Sequence, residues 1–480
     1  MRRLLPLLAL AALAVAAPAA AFTPADPLAA KQWYLQQDHA FDAWAEPPTT
    51  LTAVKVAIVD SGLDCSLPDF QGRIADKRSF VGGDPCTDTE GHGTFIAGII
   101  AANLDTQGIV GIAYTSQLLI AKVVQNDGTI PLDAEAAAIR WAADSGAKVI
   151  NLSLGGVRDP VDPNRDTFSF REASAVAYAY SKGAVIIAAV GNGDEAPTQP
   201  WPYASYPAAL PHVIGVSALT QSGAVPDYSN RDATFNDISA PGSGLFSTFP
   251  GTLTAQKPLC TDQGFSDCGS DDYRDPEGTS FAAPQVSAAA AVLFALAPAL
   301  TNSQVSTILE HSADDVSAAT GCSKCLPFRD AFSGWGRLDI AKAVAALATP
   351  PAPDRFETND DAGTLAHTIW GKTKALTATL DYYDDPVDVY RVVLAPHERL
   401  TAKLNGSGTG AQVSLTLWRP GTRQVASSFQ RSLRAAQSAL PGARQHFAFT
   451  SPTRGWYYVE VKVAPPGSGP YTLNLVKTPT

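Results

Sequence analysis

Val54-Lys55-Val56-Ala57-Ile58-Val59-Asp60-Ser61-Gly62 is a nearly continuous apolar run that ends on an acid and a small-residue turn. A strand without apolar/polar alternation is buried on both faces, which is the pattern of a parallel sheet. Four more runs repeat it: Leu118–Val124, Val149–Leu154, Ala184–Val190 and Val213–Val216. Helical stretches fall near Thr94–Ala102, Leu132–Ala143 and Glu172–Ser181, and a long apolar one covers Phe281–Leu296. Such alternation predicts an α/β fold of three layers, a parallel sheet with helices on both faces.

The rest of the chain reads differently. Thr349-Pro350-Pro351-Ala352-Pro353 is a stiff linker that cannot continue a helix. From about Asp354 the strand-like pieces Val387–Leu394, Leu400–Leu404, Val413–Trp418, Trp456–Val463 and Tyr471–Val476 alternate with Gly, Pro and polar turns, predicting a C-terminal β-sandwich. Gln424–Gln437 is open between helix and strand. At the other end, Arg2 and Arg3 precede the apolar Leu4–Ala17 and the small residues Ala19-Ala20-Ala21. That is the form of a secretory signal peptide, and the apolar run is short for a membrane span. The expected division is residues 1–21, 22–349 and 350–480.

Composition narrows the function classes. Of 480 residues, 45% are hydrophobic and 17% charged, the balance of a folded protein. A net charge of −11 argues against nucleic acid as a partner. Beyond Pro351 there are 14 Lys/Arg against 10 Asp/Glu, a surplus of +4; with +2 in the leader, residues 22–350 carry −17. No stable membrane insertion and a monomer are expected. Six cysteines fall into near neighbours, Cys65/Cys86, Cys260/Cys268 and Cys322/Cys325. Fifteen pairings are possible, and export favours short local disulfides. Cys322-Ser323-Lys324-Cys325 also reads as a redox pair or half a zinc site, but no second Cys/His pair stands at suitable spacing.

Four segments place reactive side chains at element ends. Asp60 closes a buried strand. His92 lies in Gly91-His92-Gly93-Thr94 at a helix start, and Ser280 in Glu277-Gly278-Thr279-Ser280-Phe281 at another. Asn192 follows a buried strand between Gly191 and Gly193. Singly, each has a plain structural reading: turn acid, core histidine, helix cap, turn amide. Jointly they supply what acyl transfer needs, namely a nucleophile, a base, an orienting carboxylate and an oxyanion donor. No Gly-x-Ser-x-Gly elbow occurs, against an α/β-hydrolase.

The order Asp60, His92, Ser280 within Asp-Ser-Gly, His-Gly-Thr and Gly-Thr-Ser resembles the subtilisin family of serine peptidases (subtilases) over roughly residues 25–345. The resemblance implies Ser280 as nucleophile, His92 as general acid/base, Asp60 as its orienting carboxylate and Asn192 as oxyanion donor. It implies a substrate-pairing strand at Ser153-Leu154-Gly155 and a primary-pocket wall of Ala189, Val190 and Gly191, compatible with an apolar or aromatic side chain. The chemistry requires no cofactor. Asn103-Leu104-Asp105-Thr106-Gln107-Gly108-Ile109 is similar to the family's calcium loop, with Asp69 at a further ligand position, so Asp69, Asn103, Asp105, Gln107 and Ile109 form a candidate structural Ca²⁺ site. A polar surface turn is the plainer alternative. Phe281 stands where many relatives carry Met, and Asp26-Pro27-Leu28 resembles a mature start, which leaves no room for a folded pro-region.

The tail, with Asp354-Arg355-Phe356-Glu357-Thr358-Asn359-Asp360 and Asp385-Pro386-Val387-Asp388-Val389-Tyr390, resembles the bacterial pre-peptidase C-terminal domain. Asp360, Asp361, Asp384 and Asp385 read as solvated turns before they read as a calcium set. A secreted endopeptidase acting on proteins or peptides is the expected function. The alternatives are a catalytically silent binding or adhesion protein and a peptide ligase or processing enzyme.

Overall fold

The computed structural model describes residues 21–44, 51–193, 196–256, 273–274, 277–425 and 432–479. The signal-peptide assignment and the Cys260/Cys268 pair lie outside these residues. In chain order the first part contains α1 (Tyr34–Gln37), β1 (Lys55–Asp60), β2 (Ile74–Ser79), α2 (His92–Ala101), β3 (Gln117–Lys122), α3 (Leu132–Asp144), β4 (Val149–Leu152), α4 (Phe170–Ser181), β5 (Val185–Ala189), β6 (Val213–Leu219) and β7 (Ile238–Pro241). There follow β8 (Ser247–Thr248), α5 (Gly251–Gln256), β9 (Tyr273–Arg274), α6 (Thr279–Leu296), α7 (Asn302–His311) and α8 (Ile340–Ala346).

The first seven strands form one parallel sheet in the order β2-β3-β1-β4-β5-β6-β7. Alternate residues of each central strand enter different cores. Val56 and Ile58 face a cluster with α2 and α6, whereas Ala57 and Val59 face one with α3 and α4. Both faces are covered, which is why these strands are apolar throughout. Strand order reverses at β1, with β3 on one side and β4 on the other. At such a switch point the loops beyond the carboxyl ends diverge and leave a crevice. Asp60 closes β1 there.

Helix α6 is the central packing element. Its alanines, Ala282, Ala283 and Ala288–Ala291, are buried and allow close approach to the sheet. The helix is long and apolar enough to cross a membrane by composition, yet 89% of it is buried in this core.

The second layered unit carries β10 (His367–Ile369), β11 (Thr373–Asp381), β12 (Val387–Leu394), β13 (Glu398–Asn405), β14 (Val413–Trp418), β15 (Arg434–Ser438), β16 (Arg444–Thr450), β17 (Gly455–Val463) and β18 (Ser468–Pro479). Two sheets, β10-β12-β17-β14-β15 and β11-β18-β13-β16, enclose one apolar core that includes Tyr390, Leu400, Leu415, Tyr457 and Leu473. Apart from the parallel β10–β12 pair, both are antiparallel, as a β-sandwich requires.

Several elements were not legible as strands. β2 carries Asp76, Lys77 and Arg78 on an exposed edge, where charge prevents further pairing. The open segment Gln424–Gln437 contributes Arg434–Gln437 to the strand β15, paired with β14. Cys65 and Cys86 approach to a Cα separation of 5.1 Å, and Cys322 and Cys325 to 5.4 Å, both within disulfide reach.

Candidate active site

Asp60 is 2% exposed at the end of β1, and the Ser61 N–H donates to its Oδ1 at 2.7 Å. Its other partner among the described residues is His92, whose Nδ1 lies 2.9 Å from Oδ1 and 3.0 Å from Oδ2. Two glycines allow this approach. A Cβ on Gly93 would stand 2.2 Å from the Gly62 carbonyl oxygen, and one on Gly91 2.1 Å from the Phe249 ring. The start of α2 is anchored by Asp88, buried, which accepts from the backbone N–H of Gly91 (2.8 Å) and Thr94 (2.9 Å) and from the hydroxyl of Ser61 (2.8 Å). A carboxylate there also complements the helix dipole. Asp88 is absent from the sequence reading; its position just before the His92 helix, in the capping region, was the available signal.

Burial alone would lower the His92 pKa. The charge of Asp60 and its hydrogen bond, with Asp88 and Glu90 behind, outweigh that and hold it above the ordinary imidazole range.

Ser280 sits at the start of α6. Its hydroxyl donates to the Ser153 carbonyl at 3.2 Å, and the Ser153 hydroxyl donates to the Ser280 carbonyl at 2.7 Å. Ser153 is fixed in turn by Asn151 (2.9 Å), and Asn151 by Ser287 (2.8 Å), a buried chain from β4 to α6. Phe281 packs against the start of α2: its ring lies 5.3 Å from the His92 ring and 4.8 Å from the Phe95 ring. Asn192 Oδ1 accepts from the Thr279 N–H (2.9 Å) and hydroxyl (2.8 Å). With its oxygen engaged twice, the amide keeps Nδ2 as its donor near Gly278, at the start of α6.

A cleft of about 190 Å³ opens beside Ser280, walled by Leu154, Gly155, Ala189, Gly191 and Asn192. One expected wall residue is placed elsewhere: Val190 is fully buried in the core against α3 and α4. The hydroxyl of Ser153 bonds the Ser280 carbonyl. Strand alternation explains Val190: its neighbours Ala189 and Gly191 take the cleft side. The cleft also has a polar end, Ser205 and Asn230, which the sequence reading missed. Asn230 Nδ2 donates to the Val190 carbonyl (3.0 Å) and to Ser205 Oγ (3.2 Å).

The expected calcium residues come together at a loop. The Asn103 N–H donates to the Asp69 carbonyl (2.9 Å), the Ile109 N–H to Asp69 Oδ1 (3.4 Å) and the Gln107 N–H to Asp105 Oδ1 (3.0 Å). Arg73 donates to the Asn103 side-chain oxygen at 2.5 Å. Asp26 joins them unforeseen. Its Oδ1 accepts from Asp105 and Thr106 N–H groups at 3.1 and 3.0 Å, while Oδ2 is buried with no partner among the described residues. Burial pushes its pKa up. Of the tail acids, Asp360 meets His212 at 3.1 Å and Asp361 accepts from the Ala362 and Val425 N–H groups at 2.7 and 2.6 Å. Asp385 is only 8% exposed, so the solvated-turn reading fails there.

A carboxylate–imidazole pair and a serine beside a cleft, at the switch point of a parallel α/β sheet, define the class as a serine peptidase. The comparisons agree. The family model described as "Subtilase family" matches residues 52–336. Thermitase from Thermoactinomyces vulgaris is 33% identical over 329 residues, covering 67% of this chain and 99% of its own. The cell wall-associated protease of Bacillus subtilis (strain 168) is 33% identical over 366 residues, 69% of this chain, which spans only 37% of that relative's length. Among solved structures, Sphericase superposes with a TM-score of 0.51 at 32% identity, covering 64% of this chain and 97% of its own. The chain belongs to the subtilase family.

Thr279 fixes the Asn192 amide through both its N–H and its hydroxyl. Thr279→Val keeps the N–H but removes the hydroxyl donor, one neutral hydrogen bond of roughly 1 kcal/mol. The expected outcome is a kcat lower by about fivefold to tenfold with KM little changed, measured on a peptide anilide; a change confined to KM would contradict it.

Proposed function

We propose that this chain is a secreted serine endopeptidase that hydrolyses peptide bonds in proteins through an acyl-enzyme on Ser280. The observation that carries the reading is the buried Asp60 carboxylate bonded to His92 Nδ1, with the His92 ring 5.3 Å from that of Phe281, the residue after Ser280. That bond fixes the tautomer, leaving Nε2 to accept a proton.

The roles follow from the geometry. Leu154 and Gly155 offer backbone to an extended substrate, while the cleft takes the side chain before the scissile bond. The Ser280 hydroxyl turns from the Ser153 carbonyl to His92 Nε2, gives up its proton and attacks the substrate carbonyl carbon. Hydrogen bonds at resting sites commonly shift in this way once substrate is bound. The oxyanion is met by Asn192 Nδ2 and the Ser280 N–H at the start of α6. The imidazolium, stabilised by Asp60, then protonates the leaving amine as the C–N bond breaks. Water, deprotonated by His92, releases the acid product and restores the Ser280 hydroxyl.

The same reading assigns residues 1–21 to a signal peptide removed on export, 22–349 to the peptidase and 350–480 to a β-sandwich resembling the pre-peptidase C-terminal domain. Export would maintain disulfides at Cys65–Cys86 and Cys322–Cys325, and the spacing of Cys260 and Cys268 favours a third. Asp26, Asp69 and Asp105, with the carbonyls of Asn103, Gln107 and Ile109, would hold a structural Ca²⁺. Their all-oxygen donor set and the unpartnered Asp26 Oδ2 fit a hard cation, which would neutralise the loop's carboxylates.

Labelling by a fluorophosphonate probe tests the nucleophile: the mature, calcium-loaded parent labels and Ser280→Ala does not. Equal labelling of both overturns the assignment. Because His92 must be neutral to act as base and its pKa is raised, kcat/KM should fall on acidification through a pKa above the usual 6.5. Asp60→Asn removes the raising charge while burial still lowers the pKa, so the limb moves to more acidic pH. Its kcat drops by about 10⁴. For the loop, a chelator should lower the parent's melting temperature, and Asp105→Asn should reduce that drop.

A further inference from the structure

Trp370, in the turn between β10 and β11, is 69% exposed. It does not stand alone. Trp456 of β17 meets it edge to face with ring centroids 5.8 Å apart, and Leu365 is 39% exposed nearby. Trp370 and Leu365 line an open groove of about 590 Å³. A single exposed apolar residue needs no explanation, but an indole braced by a second one at the mouth of a groove marks a binding surface.

The rest of the groove wall is polar. Thr358, Thr364, His367 and Thr368 supply hydroxyls and an imidazole, and Lys374 and Arg391 supply two cations. Arg391 is held in place from two sides. Its Nε donates to Thr368 Oγ1 at 2.6 Å and its Nη1 to the Gly363 carbonyl at 3.1 Å, with the guanidinium 5.2 Å from the centre of the Trp456 ring. Neither Lys374 nor Arg391 forms a salt bridge among the described residues. The acid in the wall, Glu357, keeps both carboxyl oxygens buried, so the groove presents cations and hydroxyls. Burial, and after it the Lys374 charge, lowers the His367 pKa, which leaves that ring a neutral hydrogen-bonding group.

These features select a ligand by its chemistry. A pyranose lays its polarised C–H face on the negative face of an indole, and its hydroxyls exchange hydrogen bonds with threonine and histidine side chains. A carboxylate on the ring meets Arg391 and Lys374 in charge-assisted bonds, whereas a neutral sugar leaves both cations unused. The +4 surplus of the tail, against −17 in residues 22–350, directs an anionic ligand to this unit. Two cations suit well-spaced carboxylates; a nucleic-acid strand carries a phosphate about every 3.4 Å and meets repulsion from the rest of the chain.

We propose that the groove at Trp370 binds uronic-acid rings of an acidic polysaccharide and tethers the peptidase to a surface that bears it. Trp370 is the stacking platform, and Arg391 and Lys374 hold the carboxylate. The site uses no residue of the catalytic cleft, so tethering leaves Ser280 free to act.

The test uses the full chain carrying Ser280→Ala, which prevents self-digestion, titrated calorimetrically with short oligosaccharides of galacturonate, mannuronate and glucuronate type. Maltose oligosaccharides are the neutral control. At least one uronate series should bind, severalfold more weakly as salt is raised, and the maltose series should not. Trp370→Ala should lower the affinity roughly tenfold with the melting temperature unchanged, since the side chain is exposed. Lys374→Gln with Arg391→Gln should lower it by roughly tenfold or more and flatten the salt dependence, while Arg391→Lys should keep that dependence. Failure of every uronate to bind, equal binding of the maltose series, or full affinity in Trp370→Ala overturns the proposal. So does a single-stranded oligodeoxynucleotide that binds more tightly than any uronate and is lost with Trp370→Ala, because the groove then belongs to nucleic acid. A matrix of the bound uronate should retain the parent and release Trp370→Ala; retention of both would overturn the tethering role.

Discussion

A carboxylate buried at the end of a central strand must be compensated, and the compensation of Asp60 organises the site. One backbone N–H and the His92 ring satisfy it. The ring reaches it only if α2 begins against the turn after β1, which excludes side chains at Gly91 and Gly93. Asp88 then holds that helix start in place by accepting from the turn and from the first amides of the helix. Stability and reactivity share one cause here. The pairing that makes Asp60 tolerable in the core is also what raises the pKa of the imidazole.

The opposite half of the site rests on α6. An alanine-rich helix packs closely on the sheet, so small shifts in its position reach Ser280 directly. The chain Asn151–Ser153–Ser280 and the bond from Ser287 back to Asn151 tie β4 to α6 through buried polar groups, all satisfied at those contacts. Thr279 does the same for the loop after β5 by engaging Asn192. Three adjacent strands, β1, β4 and β5, thus each deliver one end to the same place, at the point where strand order reverses.

Much of this was legible from local pattern. Buried parallel strands announce themselves by unbroken apolar runs, and the five runs correspond to β1, β3, β4, β5 and β6. β2 escaped because an edge strand carries charge, and β7 because Ser239 and Pro241 interrupt its apolar run. In the sandwich, the strands with the strongest apolar character were visible. β11 and β16 were not, because one face is solvated and their polar residues resemble turns. Asp60, His92, Asn192 and Ser280 were visible because glycine flanks or helix starts accompany them. Asp26, Asp88 and Asn230 were not, since a lone acid or amide in a loop has no local mark of burial.

By itself the sequence determined the layering, the order of the four reactive residues and the family they match, because each depends on periodicity or on a short contiguous string. Tertiary structure decided which neighbours those residues meet. It turned Val190 into the core and directed the Ser280 hydroxyl to Ser153. It also gathered Asp354, Glu357, Asp385 and Asp388 into one buried cluster. Read locally, such acids are turn residues; burial and the proximity of like charges arise only when segments about 30 residues apart fold together, which no local pattern encodes.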